Sequence, residues 1–196
     1  MTGVGSAVST APRFALGQPN PASRSSDRAD DAYLRAYQEE LDYLICTLER
    51  LGVDPIDIED LAQDVFVILR RKWQQYDPRR PLRSYLFAIA FRVASSHRRR
   101  LLREVPVAVV DGPDLAPYPD RLIEADQARE VVLKVLEQIP IQRRAVLIMH
   151  EMDDVPVQVI ATTLSIPLFT AYSRLRKARR ELKSAIVGMQ ERGAVR

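Results

Sequence analysis

Residues 76–103 read YDPRRPLRSYLFAIAFRVASSHRRRLLR: a proline-marked loop, then a long run with helical spacing. Leu86, Ile89, Ala90 and Val93 recur at intervals of three and four, which predicts a buried helical stripe from about Leu82 onward. Phe87, Phe91 and Arg98 lie off that stripe. Counted back to Arg70, residues 70–103 hold eleven Arg or Lys against a single acid, Asp77, a net charge of +10. The whole chain of 196 residues carries only +3. Cationic charge is therefore concentrated here, and with aromatics interleaved it fits phosphates and bases of a nucleic acid.

The same helical reading extends toward the N-terminus. Leu34, Tyr37, Leu41, Leu44, Ile45 and Leu48 predict a helix over about 30–51, and Gly52 supplies its C-terminal stop. Asp54-Pro55 turns the chain. Asp57 is placed to cap a second helix over about 58–73, with Glu59 and Asp60 in its first turn. That helix buries Ile58, Leu61, Val65, Ile68 and Leu69 and leaves Asp60, Gln63 and Asp64 on a polar face. Residues 1–26, rich in Pro and Ser, read as a disordered tail without the layout of a secretory signal.

Toward the C-terminus, four prolines between Glu104 and Asp120 mark a linker over 104–121. Val105, Val107, Val109 and Val110 leave a short extended segment open within it. Helical spacing resumes over about 122–139, 142–151, 156–164 and 168–184. The last two, joined by Leu164-Ser165-Ile166-Pro167, have the layout of a helix-turn-helix whose second helix enters the major groove. Ala171, Leu175, Ala178 and Leu182 form the core stripe of that second helix. The expected fold is all-α: two small helical domains, 27–103 and 122–186, with a Pro-rich linker and a frayed end over 187–196.

Charge alternates along the chain. Residues 27–64 are net −9 and 104–160 net −6, whereas 170–183 are net +5. Two basic surfaces suit two contacts on one polyanion, and the acidic stretches suit protein partners or cover the basic surfaces in the free chain. Cys46 alone excludes an internal disulfide and packs among Leu44, Ile45 and Leu48; a reducing, cytoplasmic setting is expected. No apolar run is long enough to span a membrane, so no membrane insertion is expected. His97 and His150 lack partners at ligand spacing, so neither a metal nor another cofactor is expected. There is no Gly-rich phosphate loop and no nucleophile elbow, which points away from an enzyme.

Two blocks together resemble a known family. Asp57-Ile-Glu-Asp-Leu-Ala-Gln-Asp-Val-Phe66 resembles the D-x-E-D-L-x-Q-D/E-V/T-F run of bacterial sigma factors. Trp73 and YDPRRPLRSYLFAIA over 76–90 resemble the segment that follows it, F-R-x-W-L-x-x-I-A. The stretch 136–182, LEQIPIQRRAVLIMHEMDDVPVQVIATTLSIPLFTAYSRLRKARREL, is similar to their promoter-reading domain. That domain is written L-P-x-x-x-R-x-V-L, then E, then L-S-x-x-E-I-A-x-x-L-G-I-P-x-G-T-V-K-S-R-L-x-R-A-R. Order, spacing and size resemble the extracytoplasmic-function (ECF) group of the sigma-70 family.

The resemblance implies partners and residues. Core RNA polymerase would dock on Asp60, Gln63, Asp64 and Phe66. Promoter DNA at the −10 element would be opened and held by Arg79, Arg80, Arg83, Arg98, Arg99 and Arg100, with Tyr85, Phe87 and Phe91 as candidate stacking faces or core residues. The −35 element would be read by Thr170, Tyr172, Ser173, Arg174, Arg176, Lys177 and Arg179. An anti-sigma protein is a further partner that the resemblance admits. The chain departs from the family pattern at Ser165 and Phe169, both usual glycines, at Tyr172, a usual lysine, and at Arg92 and Ser96, frequent Asn and Asp. Two rivals stay open at this point: a helix-turn-helix regulator that acts without polymerase, and a nuclease with a basic groove.

Overall fold

The computed structural model describes residues 21–104 and 125–194, with side chains over 31–103 and 127–191. Seven α-helices account for the described residues almost entirely: α1 (Pro21–Arg50), α2 (Ile58–Lys72), α3 (Leu82–Glu104), α4 (Ala125–Glu137), α5 (Ile141–Glu151), α6 (Val157–Thr163) and α7 (Leu168–Ala194). Two 3₁₀ turns, Pro55–Asp57 and Trp73–Gln75, bracket α2. Among the described residues there is no strand. The all-α expectation therefore holds.

Two boundaries and one cap need correction. α1 begins at Pro21, so residues 21–26 of the expected tail are helical. Apolar spacing marks only the part of a helix that packs, and the polar run ahead of Leu34 has no stripe to mark it; Pro at the first turn is compatible with helix. At the other end α7 continues through most of the expected frayed segment, to Ala194, in a run of strong helix formers such as Gln190, Glu191 and Arg192. Asp57 precedes α2 but its carboxylate makes no capping bond. It lies 3.0 Å from His97 Nε2 instead, tying α3 to the start of α2. The 3₁₀ turn ahead of α2 is capped instead, by Asp54, whose carboxylate accepts from the Ile56 amide at 3.1 Å. Residues 105–121 of the expected linker lie outside the described residues.

α2 is packed on both sides, against α1 and α3. Leu44, Leu48, Val65, Phe66, Leu69, Leu86 and Phe87 fill this three-helix junction and are almost completely buried. Burial of each such side chain stabilises by about 1.5–3 kcal/mol. α5, α6 and α7 close a second junction around Ile139, Val146, Ile148, Met149, Ile160, Ala171, Leu175 and Ala178. Alanines at 171 and 178 let α7 approach its neighbours closely.

Two helices end in the same device. After α1, the Gly52 amide donates to Glu49 O (2.9 Å) and the Val53 amide to Leu48 O (3.1 Å), with Gly52 at φ +80°. After α6, the Ser165 amide donates to Thr162 O (3.2 Å) and the Ile166 amide to Ala161 O (2.9 Å), with Ser165 at φ +54°. Both are left-handed C-terminal stops that satisfy orphan carbonyls. The first uses glycine; the second places a side chain where L-residues are strained.

The two helical groups touch along a seam where α4 meets α1, and α5 and α6 meet α3. Tyr43 Oη donates to Asp153 Oδ2 at 2.9 Å, Arg50 lies 3.9 Å from Asp153, and Arg129 pairs with Glu49. Arg144, only 2% exposed, reaches the end of α1 from α5. Its Nε donates to Ile139 O (3.1 Å) and its Nη2 to Glu137 O (2.8 Å). A Cβ on Gly52 would sit 2.1 Å from its Nη1.

Opposite outcomes are expected at the two stops. Gly52→Ala combines positive φ with a collision against a guanidinium that two hydrogen bonds hold in place. It should cost at least about 2 kcal/mol and lower the melting temperature by about 4–8 °C. Ser165→Gly should leave stability unchanged or raise it by up to about 1 kcal/mol. Calorimetry of the two variants beside wild type checks both signs.

Candidate nucleic-acid interface

The acidic face of α2 is where the sequence placed it. Asp60, Gln63 and Asp64 are all exposed. Val67, 48% exposed and one turn beyond Asp64, extends the same face; its isolation among buried neighbours gave no periodic signal. Phe66 is not part of that surface. Its side chain is buried, its ring centroid lies 4.4 Å from that of Tyr37, and its carbonyl accepts from Tyr33 Oη at 3.2 Å. Phe66 thus fixes α2 against α1 rather than meeting a partner directly.

The cations of the basic segment are mostly exposed. Arg79, Arg80, Arg98, Arg99 and Arg100 are exposed. The loop before α3 is folded on itself: the Arg79 amide donates to Asp77 Oδ1 (3.0 Å), the Arg80 amide to Asp77 O (2.9 Å), and Tyr76 Oη to Arg80 O (2.6 Å). These bonds hold both arginines at the mouth of the helix. Arg83 is already engaged, with its Nε 2.8 Å from Glu40 Oε2 and its guanidinium 5.0 Å from the Tyr43 ring centroid. The Glu40 hydrogen bond and charge push the Arg83 pKa up.

Among the expected stacking faces, Phe87 is a correction. It is completely buried, because the α2–α3 contact extends around α3 beyond the Leu86 stripe. Phe91 is half-buried and packs on the core. Tyr85 is half-buried and ends a row of aromatic rings. Its centroid lies 5.4 Å from Tyr76, Tyr76 lies 5.5 Å from Trp73 in a stacked pair, and Trp73 meets Tyr33 edge-on at 5.8 Å. The Arg70 guanidinium lies 5.9 Å from the Tyr33 ring centroid. Trp73 and Tyr76 were absent from the expected site because they precede α3, where helical spacing gives no direction to a ring. Such a row offers π-faces beside cations, the chemistry that holds unstacked bases.

On α7, Ala171, Leu175 and Ala178 face the core, as expected. Arg176 and Lys177 are exposed, Thr170, Ser173 and Arg174 partly so. Tyr172 is 47% exposed, and Gln158 Nε2 of α6 donates to its hydroxyl at 3.3 Å. Arg179 is committed to Glu151, with Nε–Oε1 at 2.8 Å, and Arg143 similarly to Glu181. Acids therefore pair with Arg83 and Arg179 without burying them, and Arg79, Arg80, Arg176 and Lys177 are exposed as well. Phe169, 83% exposed, stands in the first turn of α7.

Among the described residues no three His, Cys, Asp or Glu side chains gather to hold a metal ion, and no helix is long and apolar enough to cross a membrane.

Comparison with known proteins matches residues 36–104 to the family described as Sigma-70 region 2 and residues 129–182 to Sigma-70, region 4. The RNA polymerase sigma-H factor of Pseudomonas aeruginosa is 25% identical over 174 residues, 83% of this chain and 89% of that protein. The ECF RNA polymerase sigma-E factor of Escherichia coli is 21% identical over 141 residues, 66% of this chain and 74% of that protein. The fold is similar to the sigma factor RpoE solved with the anti-sigma factor NepR from Bartonella quintana. The TM-score is 0.62 at 19% identity, over 79% of this chain and 96% of that one.

The seam carboxylate yields a pH test. Burial holds the Asp153 pKa above its ordinary 3.8, outweighing the Tyr43 hydrogen bond and the charges of Arg50 and Arg83. A raised folded value means the stability linked to this group is full below the unfolded pKa and lost as pH rises through the folded one. Asp153→Asn keeps an acceptor for Tyr43 and removes the buried charge. It should match wild type near pH 4 and become the more stable protein toward pH 7, as followed by denaturant unfolding across that range.

Proposed function

This chain belongs to the sigma-70 family of RNA polymerase sigma factors, in its ECF group, and from that premise we propose how its surfaces divide the work. As a sigma factor it binds core RNA polymerase and directs promoter recognition and transcription initiation. It acts as a non-catalytic, dissociable specificity subunit in the cytoplasm, through two units, α1–α3 and α4–α7. α2 docks on the polymerase through Asp60, Gln63, Asp64 and Val67. What carries this reading is the exposed acidic stripe within the region 2 match. A regulator that works on DNA alone has no use for such a stripe.

The loop and helix that follow α2 open the −10 element. Unstacking and unpairing bases costs a few kcal/mol, recovered by aromatic faces and by cations on the freed phosphates. Tyr85, Tyr76 and Trp73 supply the faces. Arg79, Arg80, Arg98, Arg99 and Arg100 supply the cations, and Arg83 joins them if it exchanges Glu40 for phosphate. α7 reads the −35 element, with Thr170, Tyr172 and Ser173 near base edges and Arg174, Arg176 and Lys177 on the backbone. Arg179 reaches DNA only by leaving Glu151.

Geometry adds a requirement. Elements named −10 and −35 lie about 25 base pairs apart, about 85 Å at 3.4 Å per step. A compact protein of this size has a radius of gyration of only about 16 Å. The seam between α1–α3 and α4–α7 therefore parts when both elements are engaged. An anti-sigma protein, like the partner in the RpoE–NepR structure, would regulate by holding the two units away from that arrangement.

The test pairs a core polymerase pull-down with run-off transcription on genomic promoter fragments. Asp60→Lys/Asp64→Lys reverses exposed charge without touching the core and should weaken polymerase capture at least about tenfold, with loss of promoter-dependent transcripts. Specific promoter binding by the free chain, unaffected by the double substitution and by added polymerase, would favour the lone helix-turn-helix regulator.

A further inference from the structure

Phe169 is unexplained by packing. It is 83% exposed, among the most exposed large apolar side chains described, and it stands one residue into α7. Its angular position is set by the helix period: Phe169, Ser173, Arg176 and Arg180 follow at i, i+4, i+7 and i+11, one stripe along α7. The core stripe of Ala171, Leu175 and Ala178 lies on the opposite side. Phe169 therefore points away from the domain along the same line as two exposed cations. It also borders a shallow groove shared with Thr170, Ser173 and Lys177.

In a helix-turn-helix, residues at the N-terminal end of the second helix meet base edges, and cations farther along meet phosphates. The stripe has this order: ring first, serine next, arginines behind. A phenyl ring has no hydrogen bond to offer a base edge. The apolar feature of the major groove is the thymine C5-methyl group, carried by T and by no other unmodified base. We propose that Phe169 is a specificity-determining residue that packs on a thymine methyl in the −35 element, so that this protein prefers T on one strand at that base pair. Gln158 and Tyr172 brace the neighbouring turn, since the Gln158 amide donates to the Tyr172 hydroxyl at 3.3 Å and joins α6 to α7 beside the ring.

This inference rests on α7 reading the −35 element, and the experiment separates the two. Polymerase holoenzyme carrying the full chain is used to select from duplex promoters randomised over the −35 element. Wild type, Phe169→Ala and Phe169→Leu are run in parallel. Wild type should enrich T at one base pair; Phe169→Ala should lose that preference while keeping the rest of the selected sequence; Phe169→Leu should retain part of it. Replacing the selected thymine by deoxyuridine removes only the methyl and should weaken wild-type binding about fourfold, the effect of one buried methyl, and leave Phe169→Ala unchanged. A selected −35 sequence with no T dependence on Phe169, or equal binding of the uridine and thymine duplexes, overturns the thymine contact and leaves −35 reading intact. Equal loss on every −35 sequence in Phe169→Ala also overturns it and moves the ring to a polymerase contact. No selected sequence at all overturns −35 reading and the inference together.

Discussion

Arg144 is the constraint around which the two halves are arranged. It is a cation with 2% exposure, and such a group is tolerable only where acceptors surround it. Its Nε and Nη2 take the carbonyls of Ile139 and Glu137, closing the end of α4 onto the start of α5. Its Nη1 has no hydrogen-bond partner among the described residues and lies against Gly52, beyond the C-terminal end of α1. Burial lowers its pKa to about 10, Arg98 adds repulsion, and Glu137 opposes both. The guanidinium stays charged at neutral pH and faces the negative ends of two helices. A residue larger than glycine at position 52 would move it, and with it the register of α4–α5 on α1.

The seam combines apolar packing with a few polar contacts. The buried apolar residues of both halves form one continuous core, and the named polar contacts between the halves are few: Tyr43 with Asp153, Arg50 near Asp153, and Arg129 with Glu49. A partly buried carboxylate and a buried guanidinium with an unused donor both lose desolvation cost when the halves separate. Exposed groups along the seam recover water. These polar costs offset part of the apolar gain along the seam, which would ease the separation proposed on promoter DNA.

Much of this was legible in the sequence, and the failures have physical reasons. Leu44, Leu48, Leu61, Val65 and Leu69 announce their helices because a helix with one wet face keeps a strict stripe. Gly52 was readable as a stop because so few residues end a helix that way, whereas Ser165 stood out only as a departure from the family's glycine. Phe87 was misplaced because α3 buries a wider arc than its first stripe suggests, and Phe66 because a motif names a position without saying which way its ring points. Trp73 and Tyr76 lie in a 3₁₀ turn and a loop, where no period applies. The engagement of Arg83 with Glu40 and of Arg179 with Glu151 joins residues 43 and 28 positions apart, a pairing that only the fold creates.

Whether the seam parts on the promoter is open to direct measurement. Fluorophores at Gln38→Cys on α1 and Gln190→Cys on α7, in a Cys46→Ala background, report the separation of the two halves by energy transfer. High transfer is expected in the free protein, and a large fall when the labelled chain sits in holoenzyme on a promoter that it transcribes. Unchanged transfer in a transcribing complex would mean that the closed form is itself the working form, and the separation argued from the 85 Å promoter span would be wrong.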